Sequence, residues 1–217
     1  MAKLGLEVIP AILAKTKEEL LDKVSKVRPH VQSIQIDVMD GKFVNNKTIG
    51  LAEIRALPSG MNYEFHWMVK DPDVWISSVP GNHLHLVHVE AIKTWDWIDR
   101  ALKKSGGRIG IAINPDTDID RIYPYLDQVE QVLVMTVRPG FSAQAYIPEA
   151  EAKMKILRER LPKMPIEVDR GINKTTIIRA RRAGANKFAV ASAIFAREAI
   201  GEAIRELKQV LEEDSYG

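Results

Sequence analysis

Three residues that end short apolar runs have the side chains needed for proton transfer or metal binding. They are two aspartates, Asp37 and Asp169, and one histidine, His66. A positioned carboxylate can take a proton from a substrate, and two carboxylates with an imidazole suit a divalent metal such as Zn²⁺, Mn²⁺ or Fe²⁺. A single acid at such a position often caps the next helix instead. Three such residues at predicted strand ends favour one shared site.

The elements that must position these residues alternate along the chain. Eight apolar runs predict β-strands, at residues 6–13, 33–39, 62–69, 84–90, 108–113, 131–137, 165–169 and 187–192. Amphipathic stretches with charged outer faces predict helices, most clearly at residues 15–27, 94–105, 148–161, 174–183 and 197–213.

This order of elements favours a single-domain (β/α)8 TIM barrel of the α/β class over residues 1–217, with a polar tail at 212–217. An open doubly wound sheet would alternate in the same way. The count of eight units and the lack of Gly-x-Gly-x-x-Gly after the first strand favour the barrel. Active sites of such barrels lie at the C-terminal ends of the strands, so the two aspartates and the histidine are expected to converge there.

The composition limits the classes of protein to which the chain can belong. Its 217 residues carry a net charge of +2, so no basic excess indicates nucleic-acid or membrane binding. It contains no cysteine, which excludes disulfides and thiolate metal sites. Neither a signal peptide nor a run of about 20 apolar residues is evident. We therefore expect a cytoplasmic protein without nucleic-acid or membrane partners.

Other polar and aromatic residues have simpler interpretations. Asp40 precedes Gly41, a pair typical of a turn. His83 and His85 are interpreted as polar or packed residues of the fourth strand. The four tryptophans are interpreted as packing residues rather than as a platform for nucleotide stacking: Trp67, Trp75, Trp95 and Trp97.

A series of motifs follows in fixed order along the chain. They read DVMDGKFV, HWMVKDP, HVEA, INPDT, VLVMTVRPGF, IPEAEAKMKILRE, IEVDRGI, AGANKF and ASAIF. Together they resemble the ribulose-phosphate 3-epimerases, and the resemblance extends from Ile9 to Phe195. The joint pattern is highly specific, and the chain is identified as a member of that superfamily.

The resemblance implies a (β/α)8 barrel that interconverts ribulose 5-phosphate and xylulose 5-phosphate in the pentose phosphate pathway. Asp37 and Asp169 would lie on opposite sides of C3 of the substrate, one removing a proton and the other returning one. Together with His66, which would also contact the substrate, they would bind a divalent metal (Zn, Mn or Fe) that stabilises the enediolate. No organic cofactor is implied, and a homo-oligomer is. Three methionines match residues that line the family's site: Met39, Met68 and Met135.

The chain departs from the family where metal and substrate are expected to bind. A metal-binding histidine of the second strand is replaced by Gln35, and a substrate-contacting serine of the first strand by Ala11. A glutamine oxygen is a poorer Zn²⁺ ligand than imidazole. Gln35 either remains a weak ligand or hydrogen-bonds Asp37 or Asp169 in a metal-free site.

The predicted phosphate-binding turns differ as well. The loop after the sixth strand reads RPGFSAQ, with serine and alanine where the family has two glycines, which limits the backbone conformations that cradle an anion. Arg138 and Arg170 would either bind phosphate or fill the pocket. The residues predicted to contact substrate in these turns are Gly140, Phe141, Ser142, Ala143, Arg170, Gly171, Ala191 and Ser192, with Arg138 lining the site.

Three functions remain open from the sequence. The first is a metal-assisted epimerase of the ribulose-phosphate type. The second is a barrel enzyme of the same family that acts on a different sugar phosphate. The third is a non-catalytic, ligand-binding barrel that has lost its metal and phosphate sites, because the departures cluster at the expected site while the framework is kept.

Overall fold

The fold is a closed barrel of eight parallel strands, described by a computed structural model for residues 4–138 and 145–214. The strands pair in chain order, and the last pairs with the first. They are β1 Glu7–Ile12, β2 Ser33–Met39, β3 Asn62–Met68, β4 Leu84–His88, β5 Arg108–Ile113, β6 Val132–Met135, β7 Ile166–Asp169 and β8 Lys187–Val190.

Helices connect successive strands and surround the barrel. They are α1 Lys17–Val27, α2 Leu51–Ile54, α3 Pro72–Ile76, α4 Trp95–Ser105, α5 Ala150–Arg160, α6 Lys174–Arg182, α7 Ser192–Phe195 and α8 Ile200–Glu213. Three further segments are 3₁₀-helical: Arg28–His30, Val89–Ala91 and Ile119–Gln128.

Capping residues determine where several helices begin and end. The Thr16 side chain accepts a hydrogen bond of 3.2 Å from Glu19 N–H and starts α1. Asn173 starts α6 by accepting from the N–H groups two and three residues further on. At the end of α4, Gly106 adopts a left-handed conformation with φ 74°, which glycine tolerates at such positions.

The apolar residues form a large outer core and a smaller inner one. Alternate strand residues such as Ile36, Phe65 and Trp67 pack outward against the helices. Inside the barrel lies a separate cluster: Leu84, Leu86, Ala112, Leu133 and Met135. Because side chains alternate between the two faces of a strand, residues in phase with the inner cluster point into the barrel, and those nearest the strand C-termini line its C-terminal end.

The predicted architecture is confirmed, with local differences. All eight strands and all five predicted helices are present, and β2 has the predicted bounds. The fifth unit carries the 3₁₀ segment Ile119–Gln128 in place of an α-helix, since Pro124 inside it lacks the N–H that an α-helix needs. Glu212 and Glu213, which the sequence assigned both to the predicted helix 197–213 and to the polar tail, belong to α8.

Across residues 4–138 and 145–214, no helix is both long enough and apolar enough to cross a membrane.

Candidate active site

Asp37, His66 and Asp169 meet at the C-terminal end of the barrel, as predicted. Asp37 and His66 are register partners on β2 and β3, and Asp169 is the last residue of β7. The Nδ1 atom of His66 lies 3.3 Å from Asp37 Oδ1 and 3.1 Å from Asp169 Oδ2. All three side chains are buried. The barrel therefore brings two carboxylates from different strands to one imidazole nitrogen.

Arg170 joins the same cluster from the end of β7. Its Nη2 lies 2.8 Å from Asp37 Oδ2, and its Nε lies 3.6 Å from Asp169 Oδ2. The side chain is only 8% exposed. Of the two interpretations that the sequence left open, the structure supports neither directly: the guanidinium contacts the two carboxylates.

Gln35 lies beside Asp37 on the inner face of β2. Its Nε2 donates a hydrogen bond of 2.9 Å to Asp37 Oδ1. Its Oε1 is buried and has no hydrogen-bond partner within the described parts of the chain. A buried carbonyl oxygen without a partner is unusual, and it can accept a hydrogen bond or bind a cation. The hydrogen bond expected for a metal-free site is thus present, and one oxygen remains available.

The donor set fits a divalent metal. One ligand atom from each of Asp37, His66 and Asp169 lies within 4.8 Å of the others, and all are buried. Two carboxylate oxygens and one imidazole nitrogen are ligand types that divalent transition metals accept, and Gln35 Oε1 offers a fourth donor. These residues would hold the metal.

The charges of the cluster depend on its contacts. Burial opposes ionisation of Asp37, but the charge of Arg170 and the contact with His66 outweigh it and hold the pKa of Asp37 below its usual value. Burial also disfavours the charged form of His66, but its contacts with Asp169 and Asp37 raise its pKa to about 9. Without metal, an ionised Asp37 is therefore paired with two cationic groups.

Two residues outside the predicted site extend the cluster. His66 Nε2 lies 2.9 Å from His88 Nε2, and His88 Nδ1 lies 3.2 Å from Glu90 Oε2. Glu90 Oε1 in turn accepts a hydrogen bond of 3.0 Å from Asn114 N–H. His88 and Glu90 lie at the end of the predicted fourth strand, 84–90, and have no role among the predicted site residues. Their position at a strand end was the signal that could have included them.

Apolar side chains close the site around the carboxylates. Met39 and Met68 are buried in a cluster at this end of the barrel, with Val44 and the partly buried Leu13 and Phe43. Met68 Sδ lies 4.0 Å from Arg170 Nη2. Two further predicted lining residues, Ala11 on β1 and Met135 on β6, are also buried.

Those of the predicted phosphate-binding residues that the structure describes occupy turns at the same end of the barrel. Gly171 has φ 65°, and a Cβ atom there would lie 3.1 Å from the backbone of Tyr146, so this turn requires glycine. Ala191 is partly buried before α7, and Ser192, its first residue, is exposed. The remaining four lie outside the described residues: Gly140, Phe141, Ser142 and Ala143.

Arg138, on the loop after β6, forms an ion pair with Asp116, on the loop after β5. Its Nε lies 2.7 Å from Asp116 Oδ2, and both side chains are exposed. The exposed pair lies at the C-terminal end of the barrel, where the loops after β5 and β6 approach each other.

Asp40, assigned to a turn, makes turn contacts. One of its carboxylate oxygens accepts from Lys42 and Phe43 N–H at 2.8 and 3.0 Å, and the other accepts from Lys70 N–H at 2.9 Å. The turn interpretation is confirmed, and the same side chain also ties this loop to the end of β3.

The packing role predicted for all four tryptophans is wrong for one of them. Trp67 is fully buried, and its Nε1 donates a hydrogen bond of 3.0 Å to His85 Nδ1. Trp97 is 41% exposed on α4, with Lys93 Nζ 5.7 Å from its ring centroid. The periodicity of a short helix did not show which of its tryptophans faces outward.

Relatives of similar length are found across kingdoms. The ribulose-phosphate 3-epimerase named as the cytoplasmic isoform of Oryza sativa subsp. japonica is 32% identical over 97% of this chain and 96% of its own length. The ribulose-phosphate 3-epimerase of Schizosaccharomyces pombe is 30% identical over 93% of this chain and 92% of its own. That of Mycobacterium bovis is 30% identical, with 94% and 93% covered.

Solved structures with lower sequence identity share the fold. The 3-hexulose-6-phosphate synthase of Salmonella typhimurium matches with a TM-score of 0.70 at 17% identity, covering 96% of this chain and 100% of that chain. The structure of KGPDC from Streptococcus mutans matches with a TM-score of 0.71 at 15% identity, covering 97% of this chain and 99% of that chain.

The family description covers almost the whole barrel. The profile of the ribulose-phosphate 3 epimerase family matches residues 7–195, from the start of β1 to the end of α7. With the full-length relatives at 30% identity or more, it establishes that this chain belongs to the ribulose-phosphate 3 epimerase family.

Proposed function

We propose that the protein is an epimerase that inverts C3 of a ketopentose phosphate and interconverts ribulose 5-phosphate and xylulose 5-phosphate. The observation that carries the proposal is the convergence of Asp37 and Asp169, from β2 and β7, on one buried cluster in a chain of this family. The two acids are the minimum that inversion by proton transfer requires, because the proton leaves one face of C3 and returns to the other.

The proton transfers are assigned to the two aspartates. A hydrogen on carbon next to a ketone is weakly acidic, so its removal needs an ionised base held close to it. The pKa of Asp37 is lowered, which keeps this carboxylate ionised and ready to accept a proton. Asp169, which must carry a proton at the start, then gives this proton to the opposite face of C3 and is left ionised, while Asp37 keeps the proton that it took. The two residues exchange roles in the reverse direction.

Removal of the proton leaves negative charge on the oxygens of an enediolate. Arg170 and His66 lie within contact distance of the two aspartates and provide fixed donors and positive charge near these oxygens. In the metal-bound protein, a divalent metal held by Asp37, His66 and Asp169 would supply the positive charge for the same oxygens in place of these groups. The methionine-lined wall excludes water, which strengthens each of these interactions.

The phosphate group of the substrate is assigned to the turns after β7 and β8. Gly171 has the positive φ that allows backbone N–H groups to turn towards an anion, and Ala191 and Ser192 follow β8 at the same end of the barrel. The cytoplasmic location, expected from the composition, stays a prediction that cell fractionation would check. The homo-oligomer, expected from the resemblance, stays a prediction that analytical ultracentrifugation would check.

Isotope exchange tests the reaction and the roles of both acids. Incubation with ribulose 5-phosphate in D₂O is expected to place deuterium at C3 and to produce xylulose 5-phosphate, as followed by proton NMR. Asp37→Asn and Asp169→Asn are both expected to abolish inversion. Each is expected to retain slow exchange at C3 with only one epimer, and the retained epimer should differ between the two variants.

A surface substitution provides the matched control. Asp99→Asn removes the same charge on α4, where the carboxylate pairs only with Lys103 in the described structure, and should leave exchange unchanged. If the wild-type protein exchanges no deuterium with added Zn²⁺, Mn²⁺ or Fe²⁺, the epimerase assignment is wrong. Exchange with another sugar phosphate would then support the second hypothesis, and binding without exchange would support the non-catalytic one.

A further inference from the structure

Arg170 has an unusual backbone conformation. With φ 82°, it is the only residue other than glycine with a positive φ among the residues that the structure describes. This conformation is sterically unfavourable for a side chain that carries a Cβ atom. Such a residue persists where its surroundings fix it, and this is common at functional sites.

The buried guanidinium contacts the same carboxylates that would bind a metal. Nη2 lies 2.8 Å from Asp37 Oδ2, and Nε lies 3.6 Å from Asp169 Oδ2. The other oxygen of Asp37 faces His66 at 3.3 Å and the amide nitrogen of Gln35 at 2.9 Å. Arg170 therefore takes one of the two Asp37 oxygens and approaches the Asp169 oxygen that also faces His66.

The charges make simultaneous binding unfavourable. A metal bound to Asp37 and Asp169 would lie close to the guanidinium, because both cations contact the same two carboxylates. Two positive charges at such a distance repel each other strongly when water is largely excluded, and the Arg170 side chain is only 8% exposed. An arginine remains charged at every pH at which the protein is folded, so the repulsion cannot be removed by loss of a proton.

We propose that Arg170 is a built-in cation that competes with a divalent metal for the carboxylates of Asp37 and Asp169. Metal binds this site more weakly than it binds the same site without the arginine side chain. In the metal-free protein the guanidinium compensates the carboxylate charges, so the site stays folded and ordered. The proposal concerns the site of the proposed epimerase but does not depend on turnover.

Metal titration of the metal-stripped protein provides the test. Mn²⁺ binding is measured from the electron paramagnetic resonance signal of the free ion. Arg170→Gly removes the side chain and suits the positive φ. Arg170→Gln removes the charge but keeps hydrogen-bond donors. Both variants are expected to bind Mn²⁺ at least about tenfold more tightly than the wild type, a change comparable with other alterations around metal ligands.

Two further variants separate charge at the site from net charge. Arg170→Lys keeps a cation and should bind Mn²⁺ much more weakly than the glutamine variant does. Arg205→Ala removes one positive charge from an exposed position on α8 and should bind Mn²⁺ as the wild type does. If Arg170→Gly and Arg170→Gln bind Mn²⁺ within twofold of the wild type, or more weakly, the proposal is wrong. Loss of inorganic phosphate binding together with unchanged Mn²⁺ affinity would identify Arg170 as a phosphate ligand instead.

A measurement on the wild type keeps the test independent of how the variants fold. The ¹⁵Nε–H resonance of Arg170, one of the few arginine side chains that are largely buried, is followed by NMR while Zn²⁺ is added. Displacement from the carboxylates should shift this resonance in proportion to the Zn²⁺ bound. An unchanged resonance at saturating Zn²⁺ would overturn the proposal, and epimerase activity of the same sample bears only on the proposed function.

Discussion

His66 Nε2 and His88 Nε2 lie 2.9 Å apart, so the second nitrogen of the histidine that faces both aspartates is held by a neighbouring strand. The two rings are nearly parallel, with centroids 5.1 Å apart and an interplanar angle of 19°. Glu90 fixes the other side of His88 at 3.2 Å. The orientation of His66 towards Asp37 and Asp169 is thus fixed by its contact with the buried His88, which is itself held by the partly buried Glu90.

Removing His88 should therefore impair catalysis through His66. We expect His88→Asn to lower kcat by roughly 10- to 100-fold with a change in KM of less than about threefold, because groups that orient a ligand commonly contribute this much. The longer amide of His88→Gln can reach both neighbours and should restore part of the rate. Steady-state kinetics in both directions would measure these effects.

The exposed histidine of the first 3₁₀ segment offers a control for His88. His30→Gln replaces the same residue type before the N-terminal end of β2, at the opposite end of the barrel from the site, and should leave kcat and KM unchanged. A His88→Asn variant with wild-type kcat would contradict the positioning role. A variant with an altered KM alone would indicate a substrate contact instead.

Gln35 offers a second prediction about the metal. We expect Gln35→His to lower the Kd for Zn²⁺ by about tenfold or more, because an imidazole nitrogen replaces a carbonyl oxygen beside Asp37. Competition with a chromophoric chelator would measure the affinity. Gln35→Leu removes the donor and acceptor at similar size and should show no gain. Equal Zn²⁺ affinity in Gln35→His and the wild type would mean that this position does not reach the metal.

The fold was predictable from the sequence because it depends on local patterns. The alternation of apolar residues in β2 fixed its bounds, and the order of eight such runs indicated the barrel. The barrel prediction also placed Asp37, His66 and Asp169 together, because the C-terminal ends of parallel strands meet at one end of a barrel.

The contacts of the site were less predictable because they depend on side-chain geometry. Arg170 and Asp37 are 133 positions apart in the chain, and only the positive φ and the buried guanidinium reveal their contact. His88 lies at a strand end like His66, but nothing in its sequence position indicates that the two imidazoles touch. The fifth unit has the 3₁₀ segment Ile119–Gln128 in place of an α-helix because of Pro124, and the pattern of apolar runs does not register this effect.

A glycine inside β5 should be essential for packing. A Cβ atom at Gly110 would lie 2.6 Å from Leu86 Cδ2 and 3.0 Å from the carbonyl oxygen of Gln131. We expect Gly110→Ala to lower the free energy of unfolding by about 1–3 kcal/mol, the range for overpacked interiors. Urea denaturation would measure the change.

Gly5 provides the matched substitution for Gly110. A Cβ atom at Gly5 meets nothing within 4 Å, so Gly5→Ala should change the free energy of unfolding by less than about 0.5 kcal/mol. If both alanine variants unfold at the same urea concentration as the wild type, the inner face of the barrel has more space than the structure indicates.

His85 should make the protein less stable in acid. It is buried on β4, accepts a hydrogen bond of 3.0 Å from Trp67 Nε1, and its Nε2 has no hydrogen-bond partner in the described residues. Burial, with a smaller contribution from the charge of His83, lowers the pKa of His85 to about 3. Between an unfolded pKa of about 6.5 and this folded value, the unfolded chain binds a proton that the folded protein does not. Stability therefore falls as the pH is lowered through this window, and this contribution is constant above it.

Replacing His85 with an amide isolates this effect from the other titrating groups. Gln at this position can accept the hydrogen bond from Trp67 but does not titrate, so His85→Gln should remove its share of the pH dependence. We expect the difference in unfolding free energy between wild type and variant to shift in favour of the variant by up to about 4 kcal/mol between pH 7 and pH 3. Urea denaturation of both proteins at several pH values would measure it. A difference that stays constant over this range would show that His85 is protonated in the folded protein or already shielded in the unfolded one.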